Sequence, residues 1–174
     1  AGTNTAALAF GGINPGADDF TTTETWDGTN WTEVNDLNTA KAYGTLAGTS
    51  TDSIHAGGST PSITGQVELW NGSSWTETTD LNTARSYLAS SGTSTSAIVF
   101  GGYLGPPGNS GKTEFWNGSS WTEVNDLGTT RYDSSGSGQS SSSALAAGGF
   151  ISDETNVAEE FTASDFQIKS VTTS

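Results

Sequence analysis

Four diglycines frame this chain: Gly11-Gly12, Gly57-Gly58, Gly101-Gly102 and Gly148-Gly149, spaced by 46, 44 and 47 residues. Each ends a short run of small and apolar residues, from Ala6 to Phe10, Ser53 to Ala56, Ala97 to Phe100 and Ala144 to Ala147. An irregular stretch follows, then two aromatic residues five positions apart: Trp26/Trp31, Trp70/Trp75, Trp116/Trp121 and Phe161/Phe166. Glu24, Glu68, Glu114 and Glu159 each stand two residues before the first aromatic. In three copies a Leu (Leu37, Leu81, Leu127) is followed four residues later by a base, Lys41, Arg85 or Arg131. A period this long and regular specifies a repeat architecture before local preferences are considered.

Each unit reads as four short strands. The runs before the diglycines have the length and content of strands buried on both faces. The glycines that follow permit positive φ and close backbone approach. WDGTNW and the two WNGSSW segments place Asp-Gly or Asn-Gly between paired Trp, a strong hairpin signal. A further strand is expected after each basic residue, over Ala42 to Ala47, Ser86 to Ser90 and Tyr132 to Ser135. The chain divides into units of about 1–46, 47–90, 91–136 and 137–174, forming one domain. Four antiparallel strands per unit, repeated radially, describe the blade of a β-propeller.

Composition agrees once the repeat is known. A hydrophobic content of 32% and a net charge of -14 border on disorder, but six Trp, seven Phe and four Tyr oppose that reading. With five basic residues there is no electrostatic footprint for nucleic acid. No apolar run reaches the length of a membrane-spanning helix. Zero Cys and one His exclude thiol nucleophiles, Cys-based metal sites and His clusters, so no metal or cofactor is expected.

The diglycine after a hydrophobic strand, the Trp-bounded hairpin and the DLNTAK, DLNTAR and DLGTTR segments resemble the kelch repeat. The resemblance covers nearly the whole chain and implies a kelch-like β-propeller of four-stranded blades. Trp26, Trp70 and Trp116 depart from the Tyr usual there, and the fourth unit lacks both Trp and its base. The phrasing AGTNTAALAFGG and WTEVNDLNTA also resembles repeat proteins of marine phages and environmental viruses. Kelch-type copper oxidases require Tyr, Cys and several His in one site, so that chemistry does not carry over.

The repeat frame also predicts an incomplete first blade. AGTNT aligns with Ala47 to Thr51, placing Ala1 after the innermost strand of its blade. A three-stranded first blade, completion by a partner protomer and excision from a longer array are the three readings. An open strand edge of this kind invites pairing with another chain.

Positions constant across units are read as scaffold: the eight diglycine residues, the six Trp, and Glu24, Glu68 and Glu114 with Lys41, Arg85 and Arg131. Each Glu is expected to form an ion pair with the base of its own unit. The stretches after the diglycines vary in length and content, and binding residues concentrate on such loops. They supply the candidate ligand residues Asp18, Asp19, Phe20, Pro61, Ile63, Tyr103, Pro106, Asp153 and Glu154. Aromatics beside carboxylates would suit sugars. His55 replaces Ala9, Val99 or Ala146 of the other units and is expected to be a satisfied or channel-facing residue. Neither Asp18-Asp19 nor Asp27 to Asn30 has the alternating spacing of a calcium loop. Asn30, Asn71 and Asn117 stand in N-x-S/T triplets, and positive φ in the hairpin turns accounts for them.

These features lead to the expectation of a non-catalytic binding or structural module, virion-associated or extracellular, such as part of a phage tail or surface fibre. It would present its loops to a host glycan, a surface receptor or a neighbouring virion protein. Two other readings are an architectural subunit assembling through the open blade and a carbohydrate-active enzyme, although no motif marks an opposed carboxylate pair.

Overall fold

The computed structural model describes the chain apart from residues 15, 17, 18, 107, 163–166 and 172–174. Four antiparallel sheets follow one another along the chain, and no helix occurs among the described residues. The first blade holds β1 (Gly2–Thr3), β2 (Ala6–Phe10), β3 (Thr23–Trp26) and β4 (Trp31–Glu33). The second holds β5 (Thr45–Gly48), β6 (Ser53–Ala56), β7 (Val67–Trp70) and β8 (Trp75–Thr78). The third comprises β9 (Ala89–Thr93), β10 (Ser96–Phe100), β11 (Thr113–Trp116) and β12 (Trp121–Val124). The fourth comprises β13 (Ser135–Ser140), β14 (Ser143–Ala147), β15 (Ala158–Thr162) and β16 (Gln167–Val171). In every sheet the strands pair in chain order. This is the β-propeller arrangement.

Side-chain size explains the layering. The innermost strands β5, β9 and β13 are packed side by side, and they consist largely of Ser, Gly, Ala and Thr. A Cβ on Gly136 would come within 2.2 Å of the Ser90 carbonyl, so that approach depends on glycine. The Ser90 hydroxyl bonds the Leu46 carbonyl at 2.7 Å, tying two axial strands together. Farther out, Ile54, Val67, Ala97, Val99, Trp116 and Trp121 form a buried apolar cluster between blades.

The hairpins have the expected register, with Trp26 opposite Trp31, Trp70 opposite Trp75 and Trp116 opposite Trp121. The turn chemistry differs from the expectation. The glycines Gly28, Gly72 and Gly118 carry the positive φ, and the asparagines do not. Asn71 and Asn117 instead use Oδ1 to accept the backbone N–H groups two and three residues on, at 2.9–3.0 Å. Asp27 does the same in the first hairpin, and those bonds hold its carboxyl below the usual range.

The strands expected directly after the basic residues begin about three positions later. Ala42, Ser86 and Tyr132 form single bridges to Ser59, Tyr103 and Phe150 of the post-diglycine loops. The next residues, Tyr43, Tyr87 and Asp133, all have φ of 54–59°. Backbone in that left-handed region cannot continue a strand.

The first blade is the exception. Its innermost strand is reduced to Gly2–Thr3, which pair with Ala7 and Ala6. Ala1 adds reciprocal bonds to Leu8 at 2.8 and 3.0 Å. Among the described residues, Ala9 and Phe10 have no inner neighbour of the kind that Ser90 and Ala89 give Val99 and Phe100.

Candidate functional site

The buried ion pairs come first because they position everything else. They join consecutive blades, which corrects the expectation of pairing within a unit. Lys41 Nζ meets Glu68 at 2.9 Å, Arg85 meets Glu114 at 2.7 Å and Arg131 meets Glu159 at 3.0 Å. All six side chains are buried. The segment carrying each base leaves one blade and lies over the next, where its own backbone also reaches the carboxylate. Asn82 donates its backbone and side-chain N–H to Glu114 at 2.8 and 2.9 Å, and Asn38 does likewise to Glu68 at 2.8 Å. Burial alone would raise the Glu68 carboxyl, but Lys41 and Asn38 outweigh it and hold it below its ordinary value. From the other side, the amides of Gly12, Gly58 and Gly102 donate to the carbonyls of Lys41, Arg85 and Arg131 at 2.9–3.0 Å. All eight diglycine residues have positive φ, and a Cβ on Gly57 would lie 2.5 Å from the Arg85 carbonyl.

This clamp delivers an aromatic row to the loop face. Two residues beyond Lys41 and Arg85, the rings of Tyr43 and Tyr87 stack with centroids 4.4 Å apart. Tyr87 meets Tyr132 edge-on at 5.8 Å, and Tyr132 meets Tyr103 at 5.5 Å and Phe150 at 5.4 Å. The backbone continues the row, since Tyr87 N–H donates to the Tyr43 carbonyl at 2.7 Å and Asp133 N–H to the Tyr87 carbonyl at 2.9 Å. Tyr43 is 40% exposed, while Tyr87, Tyr103, Tyr132 and Phe150 are half-buried. Burial first, then a hydrogen bond with Tyr43 and the nearby Asp133 carboxylate, push the Tyr87 phenol up to about 12. It is a neutral hydrogen-bonding group at physiological pH.

The expected loop residues do not gather in one place. Tyr103 is in the aromatic row, and Glu154 lines a hollow of about 330 Å³ beside it, with Asp133, Gly149, Phe150 and Thr155. Asp153 is exposed on the same short loop, where Ile151 N–H donates to its carbonyl at 3.1 Å. The Asn109 side chain donates to the Ile151 carbonyl at 2.8 Å and so joins the loops of the third and fourth blades. Pro61 and Pro106 are exposed, and Ile63 is half-buried in a bridge to Ser59. Asp19 bridges Ile13 in the first loop, and Asp18 lies outside the described residues, as does Phe166. Phe20, 42% exposed, lines a different hollow with Glu24, Gly11 and Thr22.

Tyr43, Tyr87, Tyr132 and Asp133 were not among the sequence candidates, because they fell within expected strands. A signal was available: KAY and RSY repeat an aromatic two residues after the base. His55 is buried, packs edge-on against Phe10 at 4.9 Å and is held to about 3 by burial and the Lys41 charge. It is neutral and belongs to the core. No group of three or more His, Cys, Asp or Glu suited to a metal occurs among the described residues.

The four tryptophans of the second and third blades are buried, whereas Trp31 is 49% exposed and Trp26 half-buried. Trp75 is covered by the preceding blade through Phe10 at 4.6 Å and a 3.0 Å bond from its indole N–H to Thr23.

No protein-family model matches the sequence, and no curated protein matches it. Among solved structures, one titled "Structure of YjhT" superposes with a TM-score of 0.74 at 14% identity. The match covers 88% of this chain and 53% of that one, so this chain spans about half the length of that structure. A likeness at this identity concerns the fold.

Proposed function

We propose that this chain is a non-catalytic, kelch-type binding module whose loop face takes a glycan. The supporting observation is the aromatic row Tyr43, Tyr87, Tyr132, Tyr103 and Phe150 running beside a hollow lined by Asp133 and Glu154. A sugar offers two chemistries at once: apolar C–H faces that rest on aromatic rings, and hydroxyls that donate to carboxylates. The row supplies the first, with phenol hydroxyls that also form hydrogen bonds, and the carboxylates supply the second. The rigid clamp beneath holds these groups without further ordering on binding, which favours affinity. The two non-glycine φ values above 50° at Tyr43 and Tyr87, and that of Asp133, put strained backbone at this same face, as is common at ligand sites.

A virion surface, such as a phage tail or fibre, or another extracellular setting rests on the resemblance of the AGTNTAALAFGG and WTEVNDLNTA wording to repeat proteins of phages and environmental viruses. A glycan array followed by calorimetry tests the reading. Tyr132→Ala and Tyr87→Ala are each expected to weaken a hit by about tenfold or more. Absence of any hit would sink the reading. Turnover of a glycan would replace it with a carbohydrate-active enzyme using Asp133 and Glu154.

A further inference from the structure

The chain has four tyrosines, and all four lie in one contiguous row on the loop face. Their three ring contacts differ in kind. Tyr103 and Tyr132 meet at 5.5 Å with planes tilted by 49°, and Tyr132 meets Tyr87 edge-on at 5.8 Å and 66°. The third contact, Tyr43 with Tyr87, is the stacked one, with centroids 4.4 Å apart and planes 23° from parallel. The two phenols also share a hydrogen bond. Near-parallel rings whose hydroxyls meet must point the same way, so the ring carbons ortho to each hydroxyl face one another across the stack.

Both rings are fixed by the backbone that carries them. Two residues before each, Lys41 and Arg85 are buried in ion pairs with Glu68 and Glu114 at 2.9 and 2.7 Å. Tyr87 N–H donates to the Tyr43 carbonyl at 2.7 Å, which ties the two links to each other directly. Their left-handed φ angles, 59° and 54°, are held by these contacts. Groups held together in this way react with each other far faster than with the same groups on another molecule. Tyr43 is 40% exposed, so an oxidant has access to the pair.

The geometry points to Tyr43 and Tyr87 as an oxidative cross-linking site, where one-electron oxidation joins the two rings ortho to ortho as dityrosine. The oxidant is hydrogen peroxide activated by a haem peroxidase. Each phenol gives up one electron and one proton, and the two tyrosyl radicals form a carbon–carbon bond. The hydrogen on each newly bonded carbon then moves to oxygen and restores both phenols, while the peroxide is reduced to two waters. The bond encloses the second blade, because Tyr43 precedes β5 and Tyr87 follows β8. Closing a loop of this kind stabilises by restricting the unfolded chain. In a chain without Cys it does the work of a disulfide and cannot be undone by a thiol. The site is independent of the glycan reading, since its readout is covalent and needs no ligand.

The test treats the dilute full chain with hydrogen peroxide and a haem peroxidase. Expected are dityrosine fluorescence in the monomer fraction, a mass lower by two hydrogens, and one cross-linked peptide containing both Tyr43 and Tyr87. The melting temperature of that fraction should rise by about 5 °C or more. Tyr87→Phe keeps the ring and removes the phenol, and it should lower the monomer fluorescence by about tenfold or more, because only encounters between molecules remain. Circular dichroism verifies that this variant folds, and the peptide map of the unsubstituted chain decides the matter even where it does not. Dityrosine mapped to another pair, dityrosine confined to dimers, or none at all overturns the inference.

Discussion

Arg85 and Glu114, 2.7 Å apart and both without exposed surface, belong to different blades. The repeat therefore folds by each unit clamping the next, rather than by closing on itself. Removing one partner of a buried pair leaves the other charge uncompensated, at a cost of about 3–5 kcal/mol. Glu114→Gln is accordingly expected to lower the melting temperature by about 10 °C for a chain of this size. Glu24→Gln, at the same repeat position but exposed and without an ion-pair partner among the described residues, should leave it essentially unchanged. Thermal denaturation of the two variants in parallel decides the matter, and equal losses would contradict the inter-blade clamp.

The tryptophans should show the same asymmetry. Trp75, 5% exposed and packed on Phe10, is expected to cost about 3–5 kcal/mol on replacement by Ala. Trp31, 49% exposed, should cost far less, and its fluorescence should be the most readily quenched by iodide. Urea titrations of Trp75→Ala and Trp31→Ala measure the difference.

His55 makes stability depend on pH. Its folded value of about 3 lies below the ordinary value of 6.5, so the unfolded chain binds the extra proton between them. The contribution is complete above pH 6.5 and is lost as pH falls toward 3, at up to about 1.4 kcal/mol per pH unit. Between pH 6.5 and 5, carboxylates such as Glu68 titrate little, which isolates the imidazole. His55→Val, the residue at the same position of the third unit, should flatten the stability profile in that window, as denaturant midpoints at several pH values would show.

Asp133 occupies left-handed backbone at φ 55° and faces the hollow beside Phe150. Asp133→Gly should relieve that strain and raise stability by about 0.5–1 kcal/mol, while abolishing the proposed glycan affinity. A variant that gains stability and keeps full affinity would show that the carboxylate is not part of the site.

The diglycine strands, the Trp-bounded hairpins and the propeller were legible in the sequence because each rests on spacing within one unit. The loop candidates were legible only as a class. Tyr103 and Glu154 came to lie beside the aromatic row, whereas Phe20 lines the separate hollow with Glu24. Tyr43 and Tyr87 were hidden by a pattern that read as strand, because left-handed φ at a tyrosine has no local signature.

The sequence by itself determined the number of units, the strands within each and the recurrence of one carboxylate and one base. Only the tertiary structure decided which base meets which carboxylate. A strict repeat places Lys41 or Arg85 equally well for Glu68, and the choice depends on which blade the linking segment crosses. The same step in space buries Glu68, Glu114 and Glu159 under a preceding segment and leaves Glu24 open. Periodicity treats all four alike, but burial depends on which segment packs over each carboxylate, and that is a property of the tertiary structure.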